Sequence, residues 1–180
     1  RGSLLAGQSM ATHAAAIDNC GWMQDGNANT IEAASLRNSG KVIATSGSAT
    51  LHLADTLANT GSVRAAQDVI VAGREGAAAV QRLDNGGDLL AGRAMDLNAA
   101  ALSNQGGGWI QAATGSAVRA GTLDNAGTWL LSQQAGASDR MDIAGTLLNS
   151  GVVQSAGELA VTAGALDNRR AIAAAGNLGA

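Results

Sequence analysis

One motif governs what this chain can fold into: an apolar residue, any residue, Asn, any residue, Gly. It reads Ile17-Asp18-Asn19-Cys20-Gly21, Leu36-Arg37-Asn38-Ser39-Gly40, Leu57-Ala58-Asn59-Thr60-Gly61 and Leu83-Asp84-Asn85-Gly86-Gly87. It continues as Leu102-Ser103-Asn104-Gln105-Gly106, Leu123-Asp124-Asn125-Ala126-Gly127 and Leu147-Leu148-Asn149-Ser150-Gly151. An eighth copy at Leu166 and Asn168 has lost its Gly. Successive Asn residues are 19, 21, 26, 19, 21, 24 and 19 positions apart. Units this short cannot bury a face alone and must stack on their neighbours.

Between the anchors apolar residues alternate, as in Val42 and Ala44 or Leu51 and Leu53. A period of two is that of a strand with one set of side chains inward. The 40 Ala residues would favour helix. However, no stretch between anchors sustains a 3.6-residue stripe, and Gly, with 25 copies, interrupts throughout. The predicted fold is therefore all-β: a right-handed parallel β-helix of about eight coils of 19–26 residues, the hand following the usual rule for parallel crossovers. At about 4.8 Å per strand, eight coils rise roughly 38 Å. Residues 1–180 read as one β-helical segment, expected to be a fragment of a longer filament.

Stacking turns each motif position into a column. Leu36, Leu57, Leu83, Leu102, Leu123, Leu147 and Leu166 are predicted to form an apolar ladder. Asn19, Asn38, Asn59, Asn85, Asn104, Asn125, Asn149 and Asn168 form a second, for which two reasons offer themselves. Asn tolerates left-handed backbone at turns, and stacked amides can bond from coil to coil. The Gly that follows avoids a Cβ clash at the corner. The chain has no Pro, consistent with backbone N–H groups being needed by neighbouring coils.

Other classes fall away. Charged residues are 14%, with a net charge of −3 and Lys and Arg scattered singly, so no groove for nucleic acid is expected. No apolar run reaches the length of a membrane helix. The single Cys20 excludes an internal disulfide.

The form Leu-x-Asn-x-Gly-x-Val/Ile/Leu-x-Ala, nearly ideal at residues 57–65, resembles the haemagglutinin repeats of filamentous-haemagglutinin-type exoproteins. The resemblance implies a stalk or adhesin segment of a secreted protein at the surface of a Gram-negative bacterium. It implies export by an outer-membrane transporter and display of adhesive or toxin-delivery regions, as in contact-dependent growth inhibition. A host or target-cell receptor or glycan is the partner to expect if the segment binds directly.

Candidate sites are few. The 26-residue interval, with Arg74 and Glu75, and the 24-residue interval, with residues 133–140, are places where a loop could bind. Register is expected to be least regular in both. The alternation puts Trp22 and Trp109 outward and Trp129 inward, so the first two are candidate binding residues. Asp18, Asp84, Asp124 and Asp167 precede the Asn in some coils only, and His13 and His52 look isolated. The chain is therefore expected to be no enzyme and to take neither cofactor nor metal.

Overall fold

The computed structural model describes residues 2–74 and 76–179. Nineteen strands and no helix occur among them. Every paired strand runs parallel to its neighbours, and two sheets account for them all. One sheet stacks nine short strands: Ser3–Ala6, Trp22–Asp25, Lys41–Ala44, Ser62–Ala65, Asp88–Ala91, Trp109–Ala112, Thr128–Ser132, Val152–Ser155 and Ala171–Ala174. The other stacks the longer strands that end on the motif, from Met10–Asn19 to Glu158–Asn168, followed by Leu178–Gly179. Each turn of this solenoid is one short strand, a turn, one long strand and the Asn corner. There are about nine turns rather than eight, because the strands Ala171–Ala174 and Leu178–Gly179 form a further turn after the last Asn anchor, Asn168.

Alternation fixes the bore. In Ala49–Asn59 the buried residues are Ala49, Leu51, Leu53, Leu57 and Asn59. Asp55, next in the alternation, is exposed where the strand turns a corner and the ladder to its neighbour shifts register. Leu36, Leu57, Leu83, Leu102, Leu123 and Leu147 are fully buried and pair in register along the axis. Burying each contributes about 1.5–3 kcal/mol. Leu166 keeps that register against Leu147 but is 46% exposed, since only the short Leu178–Gly179 strand covers its coil.

The unequal intervals are absorbed at different corners, and the register survives all of them. In the 26-residue coil the extra chain lies between Val69–Gly73 and Val80–Asn85, and both strands still pair with the coils on either side. In the 24-residue coil it lies at residues 133–137, after Thr128–Ser132. That coil also holds Trp129, fully buried between Ile110 and Val153. The expected irregularity there takes the form of register slips, between Leu130 and Ser132 in the short strand and after Ile143 in the long strand Ser138–Asn149.

Candidate binding groove along the asparagine corner

The Asn corner is built from amides. Asn38 Nδ2 donates to Asn59 Oδ1 at 2.8 Å, Asn59 to Asn85 at 2.8 Å, and Asn85 to Asn104 at 3.0 Å. The same bond links Asn19 to Asn38, Asn104 to Asn125, Asn125 to Asn149 and Asn149 to Asn168. The same Nδ2 also reaches a carbonyl in the next coil, as Asn59 does to Asp88 O at 2.9 Å. These Asn residues close extended strands. Their selection thus rests on the side-chain ladder and not on left-handed backbone. Asn168, the last member of the ladder, is exposed.

The Gly column has an equally local cause. A Cβ on Gly61 would lie 2.1 Å from the Gly40 carbonyl oxygen, and one on Gly87 would lie 2.1 Å from that of Gly61. The coils touch backbone to backbone there. Positive φ occurs at Gly76, Gly107 and Gly136, all in the longer loops and not in this column.

Outside this corner runs a groove of about 940 Å³. Its floor is Gly21, Gly40, Gly61 and Gly87, and Ser39 and Thr60 line one edge. Along the other edge stand Ser3, Trp22, Lys41, Ser62 and Asp88, which are register partners in successive strands. Gly107 closes one end. It belongs to a corner, residues 105–108, that is two residues longer than the others. Interval lengths alone did not reveal this wall, because 21 residues is also the length of an ordinary coil.

Trp22, 44% exposed, lines the groove, but Lys41 Nζ sits 4.4 Å from its ring centre, so one face is already engaged. Trp109, 39% exposed, lies four strands away in the same outward column, and its Nε1 donates to Gln111. Arg74 is half-buried at the start of the long loop, and Glu75 lies outside the described residues.

Two polar clusters sit inside the bore, where the alternation called for apolar residues. Asp139, 3% exposed, accepts from Ser132 Oγ at 2.5 Å and from the Ser116 N–H at 2.7 Å, and Ser132 also meets Ser155. These bonds tie the 24-residue coil to its neighbours. Asp25, 1% exposed, has no hydrogen-bond partner, and neither has the Asn29 amide. Burial pushes the Asp25 carboxyl up. Asn29 and the Asn27 N–H lie near enough to oppose this more weakly, yet neither closes a bond of proper geometry. An Asp or Ser in an inward slot was the available signal for both clusters.

Outside, the Asp residues before the Asn corner stand apart. Asp84, Asp124 and Asp167 fall on alternate coils, about 10 Å from one to the next. Arg82 and Arg169 pair with the first and last, and Arg169 holds the Asp167 carboxyl below its usual range. Such solvent-exposed pairs contribute little to stability. At the turn opposite the Asn corner, Arg93 bonds Asp68 and holds its carboxyl down, while Asp68 also accepts the Ala94 N–H. His13 and His52 are not isolated. They occupy one outward column with Glu32 between them, and His13 Nδ1 lies 3.1 Å from Glu32 Oε2. The spacings of 19 and 20 residues, one coil each, carried that signal. As the side chains are placed, no three His, Cys, Asp or Glu among the described residues converge closely enough to hold a metal ion.

No protein-family model matches the chain, and no solved structure matches it. Among curated proteins it is similar to the deoxyribonuclease CdiA of Dickeya dadantii (strain 3937), at 33% identity over 192 residues. The match takes in 97% of this chain and 5% of that protein. Nearly the whole solenoid is thus similar to one short stretch of a far longer bacterial protein.

Proposed function

We propose that the chain is a stalk segment of a secreted exoprotein of the contact-dependent growth inhibition type, displayed at the surface of a Gram-negative cell. An outer-membrane transporter would export the parent protein, and the segment would hold adhesive or toxin-delivery regions away from the cell. The observation that carries this reading is the 33% identity to CdiA along almost the full solenoid. Backbone-tight corners and a largely apolar bore also suit a stiff spacer. On this reading the deoxyribonuclease named for the relative is cargo of the filament, not a property of these coils.

A spacer has a distinctive tolerance. Deleting one whole coil in the parent exoprotein, residues 39–59, shortens the rod by about 5 Å and keeps every column in register. Inhibition of target cells should survive it. Deleting half a coil, residues 39–48, breaks the register and should abolish display. Loss of inhibition with the whole-coil deletion, while the protein still reaches the surface, would refute the stalk role. A direct test of the cargo assignment is incubation of the purified chain with duplex DNA and Mg²⁺. Cleavage that Asp84→Asn removes would make the segment itself the nuclease.

The groove favours a second reading, a receptor- or glycan-binding module. Its polar edges and the Trp22 ring would meet sugar hydroxyls and a sugar face. Binding of a glycan to the purified chain that is lost in both Trp22→Ala and Asp88→Asn would favour this reading over a plain spacer.

A further inference from the structure

We propose that His13, Glu32 and His52 form a binding site for one divalent metal ion of the zinc class, held across three successive coils. These are the only two His residues in the chain, and stacking brings both onto one outward column. Glu32 is the residue between them, in register with each.

The reach suits a shared ion. Adjacent strands are about 4.8 Å apart, so the His13 and His52 backbones are separated by about 10 Å. An imidazole ring with a metal bond of about 2.1 Å spans more than half of that gap. Both rings can therefore lean to a point above Glu32, whose carboxylate rises between them. As placed, Glu32 is turned onto His13, and His52 is the third ligand that must swing in. The His13 side chain is largely exposed and Glu32 partly so. The flanking residues of the outward columns are Ala11, Thr30, Thr50 and Ala72, all small and uncharged.

The chemistry agrees. Two neutral imidazoles and one carboxylate are a common donor set for zinc, and the remaining position is left to water. The three backbones are fixed by their ladders, so only side-chain rotations are lost on binding. An ion there would join coils that otherwise meet through hydrogen bonds and packing, and binding to the folded form alone would raise stability.

The test uses the 180-residue chain carrying Cys20→Ser, which removes the competing exposed thiol. Zinc titration followed by calorimetry should give one ion per chain. The two imidazole proton signals should shift together in NMR, and the thermal midpoint should rise. His13→Ala, His52→Ala and Glu32→Gln should each weaken binding by at least about tenfold. All three positions face outward, so these variants should keep the strand spectrum and the zinc-free midpoint. The proposal is overturned if zinc binds only when Cys20 is present. It is equally overturned if the His52 signal stays fixed at saturation, or if His52→Ala binds as well as its parent.

Discussion

Replacing Asn59 by Ala tests the amide ladder where it is most enclosed. Asn59 accepts from Asn38, donates to Asn85 and donates to the Asp88 carbonyl, and it is 1% exposed. Ala at this position orphans the Asn38 donor and the Asn85 acceptor, each still buried. A buried group left without a partner costs about 1–3 kcal/mol, so the loss should be about 2–6 kcal/mol. For a chain of this size that is a fall in midpoint of roughly 4–24 °C, read by strand circular dichroism on heating. Asn59→Asp sharpens the test. A carboxylate can accept from Asn38 but cannot donate, so it faces the Asn85 and Asp88 oxygens. Below about pH 4 the protonated acid regains a donor, and part of the loss should return on acidification. Asn168→Ala supplies the control, because the exposed Asn168 lets water take the place of the lost bond. If Asn59→Ala melts within about 2 °C of Asn168→Ala, the enclosed ladder contributes no more than the open end, and the argument from orphaned amides fails.

Two further substitutions probe the corner and the bore. Gly61→Ala drives a Cβ to within 2.1 Å of the Gly40 oxygen and should unstack that coil, seen as protease cleavage near residue 61, whereas Gly106→Ala meets nothing within 4 Å and should leave the digestion pattern unchanged. Asp25→Ala installs the residue that the same column carries at Ala6, Ala44, Ala65, Ala91 and Ala112. Because burial raises the folded pKa of Asp25, its ionisation opposes folding above the unfolded value near 4, increasingly as pH rises through the folded value. The variant should therefore be more stable than the parent at pH 7, by about 1–3 kcal/mol, and lose most of that gain near pH 3. Equal gains at both values in chemical denaturation would show that the carboxyl is not penalised by charge.

The solenoid was legible because its cause is repeated at every turn. Leu57, Asn59 and Gly61 each answer to the same residue one coil away, so the spacing of the motif alone gives the stacking. Trp129 shows the same logic, since its place in the alternation puts even a large ring inward. Features that happen once were harder to read. The loop at residues 105–108 hides its two extra residues inside a coil of ordinary length. Asp25 and Asp139 are single departures from the alternation, and nothing nearby in sequence shows that Asp139 has Ser partners while Asp25 has none. The His13, Glu32 and His52 column emerges only when the chain is wound at its true coil length, which the eight anchors begin to define six residues after His13. Leu166 fits the pattern and is nonetheless exposed, because burial depends on the coil beyond it.

The ladder of amides has a direction. In every link the earlier Asn donates through Nδ2 and the later one accepts through Oδ1, so the finished part of the rod always offers a donor to the strand that comes next. A chain threaded through a pore from its amino end would meet that invitation in the correct order, each new turn having its template complete and waiting. Assembly of this kind needs no contact with residues still to emerge, so, on the proposed reading of an exported stalk, winding the rod outside the cell would itself draw the remaining chain across.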